Sequence, residues 1–171
     1  AKINDDIWVT GNLGESTIGL AIRQKKIRLK NITKKYFLNK YLFPQHCFIG
    51  DKINNFATSA IDMSDGFYGD LENLINEKKI GAFINSSLIP FSNKTKKLIR
   101  NKIIYFNYLL SAGDDYELLF TAHSRNSSTI SRLAKNNNIK ITKVGRIIEK
   151  KGLYLDGKKI KIVNKSFQHI F

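Results

Sequence analysis

Thr58-Ser59-Ala60-Ile61-Asp62-Met63, then Ser64-Asp65-Gly66, then an apolar series at Phe67, Leu71, Leu74 and Ile75, is the stretch on which the fold turns. Residues 58–63 read as a small buried strand. Ser64-Asp65-Gly66 has the polar, glycine-ended composition that breaks regular structure. The apolar residues beyond it fall at i, i+4, i+7 and i+8, one stripe of an amphipathic helix. Outward from this unit, strand-like and helix-like segments are interspersed without strict alternation. Upstream, residues 6–10 read as a strand closed by Gly11-Asn12-Leu13-Gly14, residues 15–26 as a helix, and residues 34–42 as a second helix stopped before Pro44. Downstream, 81–85 reads as a strand, 94–101 and 104–111 as helices, 116–121 as an apolar central strand, 127–136 as a helix and 140–145 as a strand. Residues 153–155 and 159–163 flank Asp156-Gly157, a hairpin signature. Such an order predicts an α+β domain with a mixed β-sheet packed with helices, residues 1–171 forming one domain without internal repeats.

The chain has 171 residues, 42% of them hydrophobic, enough to bury a core. Its lone cysteine, Cys47, excludes an internal disulfide and a cysteine-rich zinc site. No apolar run approaches the ~18 residues of a membrane span and no signal-peptide pattern opens the chain, so a soluble, cytoplasmic setting without a membrane partner is expected. The formal charge of +15 invites a nucleic-acid role. The excess comes from 23 Lys against 6 Arg, alongside 24 Ile and 17 Asn. All three abundant residues have codons rich in A and T, and arginine, the preferred base reader, is the scarcer cation. No nucleic-acid partner is therefore expected, a basic RNA-binding module being the alternative from another class.

Five of the 14 acidic residues gather in two short motifs. Asp62 and Asp65 bracket Ser64 where a strand gives way to a helix, the edge at which open sheets place ligands. Such oxygen donors suit Mg²⁺, which takes one or two carboxylates together with substrate phosphates. The structural alternative is that Asp65 N-caps the helix while Asp62 makes a surface hydrogen bond. The second motif, Gly113-Asp114-Asp115-Tyr116-Glu117, packs three acids beside a glycine, either around a cationic ligand or in a solvated loop. Gly11-x-x-Gly14 could cradle a phosphate at the following helix, or simply turn the chain. His46, His123 and His169 have no metal-ligand spacing, and neither a hydrolase signature nor a Walker A loop is present.

Ala1-Lys2, Val9-Thr10-Gly11-Asn12-Leu13-Gly14, Gly19-Leu20, Ile61 to Gly66, Leu88-Ile89-Pro90-Phe91-Ser92, Asp114 to Leu118 and Ser166-Phe167-Gln168-His169 follow one another in an order that resembles the carboxyl-terminal half of the thiamine-monophosphate kinase family. That family lies in the superfamily of aminoimidazole ribonucleotide synthetase. The resemblance implies a kinase that moves the γ-phosphoryl of ATP to thiamine monophosphate with Mg²⁺. It implies that Asp62 and Asp65 bind the metal, that Ser64 contacts ATP, and that Asp114 and Phe167 touch the thiamine substrate. No side chain is assigned as a nucleophile or general base. An amino-terminal ATP-binding half would be absent from this chain, which would then be inactive alone. The full-length protein would be a homodimer. Another ATP-dependent synthetase of the superfamily is the alternative within the class. Three departures stand out: Ile3-Asn4 where the family has Pro-Gly, Ala112 for the first of two glycines, and Pro44-Gln45-His46-Cys47 for a Pro-x-Pro-Arg pattern. Asn4 tolerates the left-handed conformation a turn there would ask for, whereas Ala112 would be strained if its φ were positive.

Overall fold

A computed structural model of the chain describes residues 1–44, 49–76 and 79–160. Along the sequence run β1 (Asp6–Thr10), α1 (Glu15–Arg23), α2 (Asn31–Leu42), α3 (Gly50–Ile53), β2 (Ala57–Asp62), α4 (Phe67–Asn76), β3 (Gly81–Ile84), α5 (Asn93–Arg100), α6 (Phe106–Ser111), β4 (Leu118–Ala122), α7 (Ser127–Asn136), β5 (Ile141–Ile148), β6 (Gly152–Leu155) and β7 (Lys158–Lys159). The strands form one sheet in the order β2-β4-β1-β5-β3-β6-β7. Every pairing is antiparallel except β3 with β6, which makes the sheet mixed.

The period-two alternation of β1 and β4 divides the core. Ile7, Val9 and Leu119 point to one face, where α1, α2, α4, α5 and α6 cover them with Ile18, Phe37, Leu71, Leu98 and Leu110. Trp8, Leu118, Phe120 and Ala122 point to the other, covered by Ile53 of α3 and Ile130 of α7. With helices on both faces, β1 and β4 are buried at every position. β2 differs from the expectation of a buried strand. Among the described strands it is the sheet's edge, paired with β4, and its residues are half-buried or exposed. Its apolar residues fit a buried strand in composition, but position in the sheet decides exposure.

The turn chemistry is local and was readable. Asp156 and Gly157, at φ 49° and 83°, turn β6 into β7 as a two-residue hairpin. Residues 161–163 of the expected tail strand lie outside the described residues. Asn4 adopts φ 71°, the left-handed turn foreseen for it. Ala112 takes φ −101° and ψ 146°, ordinary extended backbone, so its replacement of glycine carries no strain.

Candidate functional site

β2 ends at Asp62, and the turn that follows lies against loop 112–117 leading into β4. The Met63 amide donates to the Glu117 carbonyl (2.9 Å), the Tyr116 amide to the Met63 carbonyl (3.2 Å) and the Asp114 amide to the Ser64 carbonyl (3.3 Å). These bonds continue the β2–β4 ladder past its regular strands. At Gly113 the two segments approach so closely that a Cβ would overlap the Ser64 carbonyl oxygen. The two acid-bearing motifs, separate in sequence, are thereby one surface at the carboxyl end of β2.

Asp62 is exposed and Asp65 half-buried, and among the described residues neither carboxylate accepts a hydrogen bond. α4 begins at Phe67, so its cap position is Gly66, at φ 91°; Asp65 stands one residue too early to be the cap. What fixes this turn is Asp70, a residue the sequence reading passed over. It is 1% exposed, and its carboxylate accepts the Asp65 amide at 2.9 Å. Burial pushes its pKa up to about 6, against the pull of the backbone amides of residues 64–66. Its signal was an acid three residues after Phe67, on the apolar stripe of α4.

The three acids of the second motif do not act as one cluster, because Asp115 and Glu117 have partners within the fold. Asp115 turns away from Asp114 and accepts the amides of Gly14 (2.5 Å) and Ser16 (3.1 Å) at the start of α1. Gly14, at φ 76°, has no side chain with which to cap that helix. Asp115 therefore supplies a long-range cap, and the Gly14 and Ser16 amides that Gly11-x-x-Gly14 might have offered to a phosphate are already engaged. Glu117 accepts the Thr10 hydroxyl at 2.5 Å, and its carboxylate lies so close to Gly11 that a Cβ there would collide with it. Burial raises the Glu117 pKa, while the Thr10 hydroxyl and the charges of Lys40 and Lys140 oppose the rise. Beside them Glu15 is buried, receiving the Tyr36 hydroxyl at 2.8 Å and facing the Lys40 ammonium at 3.8 Å.

Burial also pushes the Asp115 carboxyl up to about 7, its two amide partners pulling the other way. Between the ordinary value of 3.8 and that figure, the folded chain holds a proton the unfolded chain has released. This residue's contribution to stability is thus full below pH 4 and is lost as the pH rises to 7. Urea denaturation of the chain and of Asp115→Asn should show the wild type losing on the order of 2 kcal/mol more than the variant between pH 4.5 and 7.5. Parallel curves would place the titration elsewhere.

Among the described residues no three acid, histidine or cysteine side chains gather closely enough to hold a metal by themselves. Asp62 and Asp65, hard oxygen donors without competing hydrogen bonds, fit an ion whose remaining positions go to phosphate and water. Asp114 lies on the same surface through its amide contact with Ser64. Phe167 lies outside the described residues, as do His46, Cys47 and His169. No helix among the described residues is long and apolar enough to cross a membrane.

The mixed sheet with helices on both faces superposes on solved structures of the aminoimidazole ribonucleotide synthetase-like fold. HypE of Escherichia coli, 13% identical with a TM-score of 0.73, shares this fold. Within the class the chain is a homologue of the thiamine-monophosphate kinases. It is 41% identical to that of Buchnera aphidicola subsp. Schizaphis graminum and 30% identical to that of Escherichia coli K12, in each case over 99% of this chain. It covers 54% and 53% of those proteins, so the chain spans about half the length of the curated relatives it matches. The thiamine-monophosphate kinase structure from Stenotrophomonas maltophilia superposes with a TM-score of 0.81 at 26% identity, over 94% of this chain and 52% of that one. A ThiL structure complexed with AMPPCP and TMP superposes at 0.79 with 27% identity, over 99% of this chain and 52% of that one. No family model matches the chain.

Proposed function

We propose that this chain is the carboxyl-terminal domain of a Mg²⁺- and ATP-dependent thiamine-monophosphate kinase, a cytoplasmic homodimer when complete. In that reaction the bond from the γ-phosphorus of ATP to the β–γ bridging oxygen breaks, and a bond from that phosphorus to a phosphate oxygen of thiamine monophosphate forms. The observation that carries the reading is the apposition of the 62–66 turn and the 112–117 loop. It gathers Asp62, Ser64, Asp65 and Asp114 on one surface, in segments that resemble the kinase family's motifs. Phosphoryl transfer asks a protein for positioning and charge neutralisation rather than for a nucleophile, and an acid-rich surface without one suits it.

In this reading Asp62 and Asp65 hold Mg²⁺, which neutralises the developing charge on the transferring phosphates when bound. Ser64 hydrogen-bonds ATP. Asp114 attracts the cationic thiazolium and accepts a hydrogen bond from the aminopyrimidine. Phe167 stacks on the substrate rings, with a cation–π attraction of about 0.5–2 kcal/mol. Asp70 keeps the metal-binding turn in shape from beneath, through the Asp65 amide.

A chimera tests the proposal. This chain would replace the matching half of the Buchnera relative, leaving that protein's other half to supply the remainder. The chimera should form thiamine diphosphate from ATP and thiamine monophosphate only with Mg²⁺ present, and should sediment as a dimer. The chain alone should form none, because proximity and half of the ligand set are missing. A folded chimera without turnover would reject the kinase reading, and turnover by the chain alone would reject its place as one half.

A further inference from the structure

The two neighbouring acids of loop 112–117 are used in opposite ways. Asp114 has its amide on Ser64, and among the described residues its carboxylate accepts no hydrogen bond. Asp115 has both carboxylate oxygens on the first amides of α1. The residues on either side of Asp115 are strained: Asp114 at φ 71° and Tyr116 at φ 52° are left-handed. Aspartate visits that region with modest penalty, but for a bulky aromatic residue it is a genuine outlier. Backbone in such a state persists only where its surroundings over-determine it. Two sets of bonds contribute. One is the ladder extension to Met63 and Ser64; the other, toward α1, is the grip of Asp115 on Gly14 and Ser16, beside a longer Thr17 hydroxyl contact to the Gly113 carbonyl (3.5 Å).

We infer that Asp115 is a positioning residue, a strap between the start of α1 and the site loop that holds Asp114 toward the substrate. The first set of bonds pins only the backbone edge of the loop against the metal-binding turn. Asp115 alone sits between the two left-handed residues, and its side chain points to the opposite flank, toward α1. Its release lets Asp114 and Tyr116 return to ordinary backbone, which turns the Asp114 carboxylate from its place. The turn carrying Asp62 and Asp65 keeps its own anchor in Asp70. The strap therefore bears on the thiamine side of the site and leaves the nucleotide side largely alone.

The inference rests on the kinase reading only for its kinetic arm; its structural arm is read on this chain by amide exchange. In Asp115→Ala, the amides of Gly14, Ser16, Asp114 and Tyr116 should exchange about tenfold faster or more, while those of Val9 and Leu119 in the sheet keep their protection. In the chimera the same change should raise KM for thiamine monophosphate about tenfold and leave KM for ATP within about twofold. Asp115→Asn should lie between wild type and Ala, since its one side-chain oxygen still accepts from helix amides. It also carries the test should the Ala variant not fold. Unchanged exchange at Asp114 and Tyr116 would overturn the strap. So would equal rises in both KM values, or a lowered Tm with both KM values unmoved. A chimera inactive even with Asp115 intact speaks against the kinase reading, and the exchange pattern then decides the strap by itself.

Discussion

Asp65→Asn in the active chimera is expected to lower kcat by about two to three orders of magnitude, the range seen when a transition-state charge loses one stabilising group. The remaining activity should need more Mg²⁺, because a neutral amide oxygen is a poorer partner than a carboxylate for a hard cation. Asp62→Asn should behave alike. Asparagine is the discriminating replacement because it caps helices as well as aspartate does. A structural Asp65 would tolerate it, and the position of Gly66 at the cap already separates Asp65 from that role. Neither carboxylate accepts a hydrogen bond among the described residues, so fold stability should change little. The measurement is a Mg²⁺ titration of turnover beside a urea melt. Unaltered Mg²⁺ dependence in a folded variant would remove the metal role.

Gly113→Ala is the second large effect, and it acts on the fold itself. The added methyl would overlap the Ser64 carbonyl, a backbone atom that cannot swing aside as a flexible side chain would. The loop and the turn must then separate, breaking the amide contacts of Asp114 and Tyr116 that join them. A loss of about 3 kcal/mol is expected, at the upper end of what overpacking costs. Gly50→Ala is the control: a Cβ there meets nothing within 4 Å, so its urea midpoint should hardly move. A Gly113→Ala midpoint equal to that of Gly50→Ala would mean that the two motifs are not apposed.

The elements carried by strong periodicity were legible from the residues. α4 falls where its apolar spacing puts it, β1 and α7 span the residues expected of them, and the Asp156-Gly157 hairpin follows from its turn chemistry. Relations between distant segments were not. That β2 is an edge depends on strand order, and no local pattern in Ala57–Asp62 encodes it. The candidate site divides in the same way. The two acid motifs were conspicuous as composition, and their family resemblance named Asp62, Ser64, Asp65 and Asp114. That Asp115 belongs to α1, Glu117 to Thr10 and Asp70 to the turn above it requires the tertiary contacts. A carboxylate looks the same in sequence whether it will meet a metal ion, a helix amide or a hydroxyl.

A helix capped from 101 residues away has a particular history when the chain folds. α1 is only nine residues long and begins at a glycine that has no side chain to cap it, so it nucleates poorly in the unfolded chain. The group that satisfies its first amides arrives only when β4 has docked beside β1. Closing so large a loop is slow, and the contact that rewards it is made at the site loop itself. Helix completion, sheet registration and assembly of the acid-lined surface therefore fall within one late cooperative event.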